Sequence, residues 1–419
     1  MTYEEAVDYL YRLAPSFQQV GRRAYKEGLG GALALDDLFG HPHRRFRSIH
    51  IAGTNGKGSV AHTLAAMLQA EGRRVGLYTS PHLLSFRERI RVDGVEIGKR
   101  EVSRFVERYR GAFEPLRPSF FELTTALAFK HFAEQGVDWA VVETGLGGRL
   151  DSTNIITPEL SVITNIALDH TDMLGSTLAQ IAGEKAGIIK RGVPVVVGQA
   201  TEETRPVFEA RAREMGAEMV YAQPVEARRA GAGWMYGDIY GELGGSYQPL
   251  NAATILAAAR RLGIGEENIR SGFAHVCRLT GLRGRWEQLR EEPRVVCDTG
   301  HNPDAFAYLV PQIEAQEAET RRIVLGMAGD KDWRAVVGML PRNAVCYFVK
   351  PSTHRALDPE LLAEAARARG VRCSVEGDVM GGYKKALRES SCRDFVFVGG
   401  SSYVVSDLLA HLRSSRTKL

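Results

Sequence analysis

The sequence predicts an α/β protein with two doubly wound, parallel-rich sheets, and three observations predict it. Short β-branched runs alternate with amphipathic stretches from about Phe46 to the C-terminus. The runs are apolar throughout, as strands covered on both faces are. The alternation loosens around Ala222 to Gly245 and restarts after a Gly- and Arg-rich linker that ends at Arg285, which divides the chain into a larger first and a smaller second domain. The expected domains are 1–281 and 282–419.

In order, Arg47 to Ala52 reads as a strand, Lys57 to Ala70 as a helix, Val75 to Thr79 as a strand, Glu122 to Gln135 as a helix and Trp139 to Glu143 as a strand. Leu160 to Ile166 is the next strand, Leu178 to Ile189 a helix and Val193 to Val197 a further apolar strand. After the looser stretch Ala222 to Gly245 come two helices, Pro249 to Leu262 and Glu266 to Cys277, then the Gly- and Arg-rich linker Arg278 to Arg285. Strands at Val295 to Asp298, Ile323 to Gly326, Val345 to Val349, Val371 to Val375 and Phe395 to Val398, with helices between them, form the second domain.

Composition narrows the function. The 419 residues are 44% hydrophobic and 25% charged, with 44 glycines and 16 prolines, so collagen and disorder are excluded. No run approaches the about 18 apolar residues of a membrane span, and the acidic start Met1-Thr2-Tyr3-Glu4-Glu5 is unlike a secretory signal. The five cysteines are never spaced as CxxC, which points to a reducing, cytoplasmic setting with no zinc site. With 54 basic against 50 acidic residues, the charge is too even for a nucleic-acid partner.

The densest signal is Ile49-His-Ile-Ala-Gly53-Thr54-Asn55-Gly56-Lys57-Gly58-Ser59-Val60, a strand entering a Gly-rich turn and a helix. Unpaired N–H groups at the positive end of a helix hold phosphate oxygens, and Lys57 adds a point charge. Gly58 separates Lys57 from Ser59, so the strict GxxxxGK[ST] pattern is not met, but the strand-turn-helix context predicts ATP binding. The first domain is thus of the P-loop ATPase type.

Other strands also end in polar segments, where ligands bind on an open parallel sheet: Thr79-Ser80-Pro81-His82-Leu83, Glu143 through Asp151 and Thr153 to Asn154, and Asp169-His170-Thr171. Glu143 ends an apolar strand, a position from which a carboxylate reaches a nucleotide's Mg²⁺; capping a local helix is the alternative. Lys185 lies among Ala, Gly and Ile on its helix, with Glu184 turned elsewhere. A buried ammonium either finds an anion or loses its charge, and a snorkelling lysine is the plain alternative.

Together with Glu184-Lys-Ala-Gly-Ile-Ile-Lys190 and Asp298-Thr-Gly-His-Asn-Pro-Asp304, these segments resemble, in order along the chain, the folylpolyglutamate and dihydrofolate synthases of the Mur ligase superfamily. The resemblance implies a Rossmann-like C-terminal domain with the reaction in the cleft between domains. It implies that Thr54, Asn55, Gly56, Lys57, Gly58, Ser59, Asn251, Arg285, Asp298 and His301 bind ATP, with Arg285 reaching a phosphate on domain closure. Ser80 and Glu143 would hold one Mg²⁺, and His170 with a carbamylated Lys185 a second. Lys57, Lys185, His170 and Arg285 would serve catalysis, and His82, Phe121, Asp151 and Thr153 the pterin substrate. Capping of a turn is the alternative for Asp151, and a core position that for Phe121. The family's His-Gln pair stands here as Tyr247-Gln248, and its Asp-Gly-Ala-His as Asp298-Thr-Gly-His.

The reaction implied is ATP-dependent glutamate addition to dihydropteroate, to folates, or to both, through an acyl phosphate, by a monomer. A Mur-type ligase acting on a cell-wall precursor is the rival; about 45 residues before the first strand leave little room for its extra domain. A regulatory ATPase is the second rival, and Glu143, His170 and Lys185 together argue against it.

Overall fold

The computed structural model describes residues 1–14 and 28–416. The chain forms two compact units, one of Met1–Glu242 and Gln248–Leu282, the other of Leu243–Tyr247 and Arg283–Leu419. The segment Leu243–Tyr247, expected in the first domain, belongs to the second unit. Gln312 Nε2 donates to Gly244 O at 2.8 Å and Ser246 Oγ to Tyr308 O at 2.9 Å, which fixes it there.

The first unit holds an eight-stranded sheet in the order β4-β3-β2-β5-β1-β6-β7-β8. Its strands are β1 (Arg47–Ala52), β2 (Val75–Tyr78), β3 (Ile90–Val92), β4 (Val95–Glu96), β5 (Trp139–Glu143), β6 (Leu160–Ile163), β7 (Val195–Val197) and β8 (Met219–Tyr221). From β2 to β8 the pairs are parallel; β3 and β4 extend one edge antiparallel. Two- and three-residue strands around the Asp93-Gly94 turn, where both residues have positive φ, are too short to show periodicity in sequence.

Alternate strand residues feed opposite cores, which is why these strands read as unbroken apolar runs. Ile49, Ile51, Val141, Val162 and Val196 face the helices Lys57–Ala70, Gln248–Arg261 and Glu266–Ala274. Ala140, Val142 and Tyr78 face an aromatic cluster with Phe105, Phe113, Phe129 and Phe132. Ile163, Val195 and Val197 pack on Ile181, Ile188 and Phe208. The stretch after residue 222, which lacks clear alternation in sequence, forms a small antiparallel sheet of β9 (Ala227–Ala230), β10 (Gly233–Tyr236) and β11 (Ile239–Gly241).

The second unit's six-stranded sheet runs β12-β13-β17-β14-β15-β16. It comprises β12 (Glu287–Arg290), β13 (Arg294–Asp298), β14 (Arg321–Leu325), β15 (Val345–Val349), β16 (Arg372–Glu376) and β17 (Phe395–Gly399), parallel except for the antiparallel edge strand β12. Its core gathers Val296, Phe306, Ile323, Phe348, Leu362 and Phe397. Among the described residues no helix is long and apolar enough to cross a membrane.

Gly76 in β2 lets the fully buried Phe132 ring lie on the strand: a Cβ there would stand 2.8 Å from two ring atoms. Gly76→Ala is expected to destabilise the first unit by about 1–3 kcal/mol through overpacking. Urea denaturation checks this, and an unchanged midpoint would show that the ring relocates freely.

Candidate active site

The phosphate loop is bound to the end of the neighbouring strand. After β1 the backbone turns at Gly53, whose φ is +151°; a Cβ there would come within 1.8 Å of Thr164 Oγ1. Thr54 N donates to Asn165 O at 2.9 Å and Asn55 N to Asn165 Oδ1 at 2.8 Å, while Thr164 Oγ1 donates to Asn55 O at 2.6 Å. The Thr54 hydroxyl is engaged by the Ala167 backbone. Gly56, at φ +84°, is pressed under Asn251, whose Oδ1 would lie 2.3 Å from a Cβ. Asn251 Nδ2 donates to Gln248 Oε1 at 3.0 Å, and Gln248 Nε2 to Ser59 Oγ at 3.3 Å.

The helix Lys57–Ala70 then starts with no side-chain cap. The first-turn N–H groups of Lys57, Gly58 and Ser59 have no intrahelical acceptor, so the loop fits an anion such as phosphate. Thr54, Asn55, Gly56, Lys57, Gly58, Ser59 and Asn251 thus stand together.

Two lysines converge on one carbonyl. Lys57 Nζ donates to Gly53 O and Thr54 O, both at 3.1 Å, and Lys185 Nζ donates to Gly53 O at 2.9 Å. Lys185 is 4% exposed; burial, with the positive charge of Lys57 second, lowers its pKa to about 7. Asp169, Asp151 and Glu184 pull the other way. Glu184 itself turns to Arg149, 2.9 Å from Nη2.

Glu143 is 4% exposed and accepts the Ser80 N–H at 3.2 Å through Oε2. The pairing of Tyr78 with Val142 brings these two strand ends together. Their oxygen donors suit a hard cation. His170 occupies a left-handed turn at φ 51°, and its N–H donates to Asp169 Oδ1 at 2.9 Å. No group of three His, Cys, Asp or Glu side chains suited to a metal occurs among the described residues. An ammonium offers no lone pair, so Lys185 fits a second cation only after conversion to a carbamate, which presents oxygens.

Phe121 lies over the loop that follows β5: a Cβ on Gly145 would stand 2.5 Å from the ring, and the ring tilts against Tyr78 at 5.7 Å. His82 Nδ1 accepts from Arg89 Nε at 2.8 Å, so its proton sits on Nε2. Burial and then Arg89 hold its pKa well below the ordinary value. Arg89, unforeseen from sequence, is 3% exposed, with its guanidinium 5.4 Å from the centre of the Phe120 ring.

Asp151 performs the capping role. Its Oδ2 accepts Gly145 N at 2.8 Å and Leu146 N at 2.9 Å, and its Oδ1 accepts Thr153 N at 3.0 Å together with the Thr153 hydroxyl. Thr153 is fully buried, with Oγ1 held between Asp151 and His50 Nε2 at 2.8 Å.

In the second unit Asp298 ends β13 at 2% exposure. Its Oδ2 accepts the Tyr247 hydroxyl and Trp286 N, each at 2.7 Å, and its Oδ1 accepts Gly300 N at 2.8 Å. Arg285 donates to Thr299 Oγ1 and to Gly284 O, and His301 Nδ1 lies 3.1 Å from Thr299 O. Thr299 therefore gathers Arg285 and His301 beside Asp298. Tyr247 and Trp286 are the members that sequence reasoning missed.

Asp151→Ala strands the Gly145 and Leu146 donors, each costing about 1–3 kcal/mol if left unpaired. The expected result is a lowered melting temperature with parallel loss of ATP and acceptor use. Thermal melts beside steady-state kinetics check it; a rise in acceptor KM alone, at unchanged melting temperature, would reverse the capping assignment.

Comparison with known proteins places the chain in a family. The chain matches the Mur ligase middle domain over residues 51–223 and the Mur ligase glutamate ligase domain over residues 284–402. It is 34% identical to a Bacillus subtilis dihydrofolate synthase/folylpolyglutamate synthase, covering 93% of this chain and 95% of that one. It is 35% identical, over 97% of its length, to a probable bifunctional folylpolyglutamate synthase/dihydropteroate synthase of Haloferax volcanii, and spans 50% of that longer protein. Escherichia coli FolC in complex with DHPP and ADP superposes with a TM-score of 0.86 at 30% identity, with 99% of each chain covered. A bifunctional folylpolyglutamate synthase/dihydrofolate synthase with Mn, AMPPNP and L-glutamate bound gives a TM-score of 0.84 at 30% identity, covering 99% of this chain and 98% of that one. The chain belongs to the folylpolyglutamate synthase/dihydrofolate synthase family of Mur ligases.

Proposed function

We propose that this protein is an ATP-dependent ligase that joins L-glutamate to dihydropteroate, to folates, or to both, through an acyl phosphate. The observation that carries the reading is the phosphate loop itself: an uncapped helix start with Lys57 and Lys185 both on the Gly53 carbonyl. Full-length similarity to folate ligases sets aside the cell-wall alternative.

A free carboxylate acylates poorly because its leaving group would be oxide. The acceptor's carboxylate oxygen therefore attacks the γ-phosphorus of ATP, breaking its bond to the bridging oxygen and releasing ADP. The glutamate amine then adds to the acyl carbonyl and loses a proton, and inorganic phosphate departs as the amide forms. The chain supplies position and charge. The first-turn amides of the loop hold phosphate oxygens, and Lys57 moves from the Gly53 and Thr54 carbonyls to the transferring group. Ser80 and Glu143 would hold one divalent cation, and His170 with carbamylated Lys185 a second; when bound, such ions neutralise charge on the phosphoryl oxygens. Arg285, Asp298 and His301 contact the nucleotide, His82 and Phe121 the pterin, and Asp151 keeps the loop between them and Glu143 in shape. The evenly balanced charge and the cysteines, none of them in a disulfide, support a cytoplasmic protein with no nucleic-acid partner.

The direct test is ADP release from purified protein with Mg²⁺, glutamate and either dihydropteroate or a reduced folate. Release that needs both acceptor and glutamate supports the reading, and release indifferent to them refutes it. In that assay Lys57→Ala is expected to lower turnover by a factor on the order of 10²–10³, about 3–4 kcal/mol of transition-state stabilisation; near-normal turnover in a folded variant would remove Lys57 from the mechanism.

Carbamylation consumes neutral amine, whose fraction rises as pH climbs through the Lys185 value of about 7. Protein equilibrated with ¹³C-bicarbonate is therefore expected to show a carbamate resonance that is weak below pH 7, grows above it and is missing in Lys185→Ala. A signal of equal strength in that variant would contradict the assignment.

A further inference from the structure

We propose that Tyr247 is a positioning residue for nucleotide binding: its hydroxyl sets the Asp298 carboxylate and, through it, the backbone that carries Arg285 and His301. The proposal rests on the reading that Asp298, Arg285 and His301 contact the nucleotide.

Three separate stretches meet on one carboxylate. The Tyr247 hydroxyl and the Trp286 N–H occupy Oδ2, each at 2.7 Å, and the Gly300 N–H occupies Oδ1 at 2.8 Å. Trp286 directly follows Arg285, and Gly300 directly precedes His301. Trp286 also holds a left-handed conformation at φ 49°, uncommon for a bulky residue and sustained only where surrounding contacts impose it. A carboxylate has about four lone-pair sites; with Oδ2 filled by two donors, Oδ1 keeps one beyond the Gly300 amide. The phenol thus decides which oxygen retains hydrogen-bonding capacity.

The Tyr247 ring packs against the second unit's hydrophobic core. Its segment is anchored independently, with Ser246 N on Gln312 Oε1 at 2.6 Å and Ser246 Oγ on Tyr308 O at 2.9 Å. Removing the hydroxyl alone therefore leaves the packing intact and subtracts one donor from Asp298.

The experiment is calorimetric titration of ADP with Mg²⁺ into the full chain, its Tyr247→Phe and Asp298→Asn variants and the double variant. Steady-state KM values and thermal melts accompany it. Tyr247→Phe is expected to weaken ADP about tenfold, as loss of a hydrogen bond to a charged group does. KM for acceptor and for glutamate is expected to stay the same, while the melting temperature falls modestly because a buried carboxylate loses one donor. Acting through Asp298, the substitution should cost nothing further in the Asp298→Asn background. Unchanged ADP affinity in Tyr247→Phe beside a loss in Asp298→Asn overturns the proposal and leaves the nucleotide reading standing. Unchanged affinity in Asp298→Asn overturns that reading, and the role of Tyr247 with it. A loss in Tyr247→Phe shared by the acceptor and glutamate KM marks a merely structural residue and also overturns it. If Tyr247→Phe does not fold, Asp298→Asn is compared with the double variant, where both members of the pair are removed: equal ADP affinity supports the proposal, and a further loss refutes it.

Discussion

The first unit's chemistry depends on the hydrogen bonding of the phosphate loop to the end of β6. A Gly-rich loop is entropically costly to order, and here Thr164 and Asn165 order it through three bonds, to Thr54 N, Asn55 N and Asn55 O. With those groups satisfied inside the protein, the uncapped first turn of the following helix is left with the amides that suit an anion. Shifting β6 by one residue would turn Thr164 away from Gly53, since successive side chains point to opposite faces of a sheet. The central strand pairing β1–β6, with Ala52 beside Ile163, is therefore a requirement of the site as much as of the core.

Buried charge is handled by concentrating donors on a few acceptors. Gly53 O receives two lysine nitrogens. Each isolated ammonium would be costly to bury, and two near one another lower the pKa of the more deeply buried one, Lys185. The resulting excess of positive potential suits an incoming polyphosphate. Asp151 and Asp298 work in the opposite sense: burial raises the pKa of each while converging donors restrain it. Both carboxylates organise loops at strand ends, Asp151 after β5 and Asp298 at the end of β13. The two units thus use one device, a buried carboxylate that gathers backbone N–H groups, to shape segments that short-range propensity leaves undefined.

The reaction needs little covalent chemistry from side chains, which matches what is present. Among the described residues the site offers amides, lysines, an aromatic face and paired oxygen donors. The His82–Arg89 pair adds an imidazole held neutral beside a buried guanidinium, suited to hydrogen bonding more than to proton transfer near neutral pH.

By itself the sequence determined the α/β class and the ranges of β1, β5, β15 and the phosphate-loop helix, because apolar run length and glycine express local forces. Motif order along the chain likewise pointed to the family. It extended the β6 strand to Ile166, whereas the strand stops at Ile163, because Thr164 and Asn165 leave the ladder to bind a loop more than 100 residues earlier. It left Asp151 between two roles, since its bonds within the loop after β5 and that loop's contact with His50 of β1 are settled only by folding. The β3–β4 hairpin and the sheet β9–β11 escaped notice for the opposite reason, being too short or too mixed in composition to carry a period. Tyr247 had no readable role at all: a phenol shows its partner only where folding carries it to a carboxylate 51 residues away. Local propensities are written into neighbouring residues; the pairing of buried polar groups is decided by which distant segments the strand order brings together.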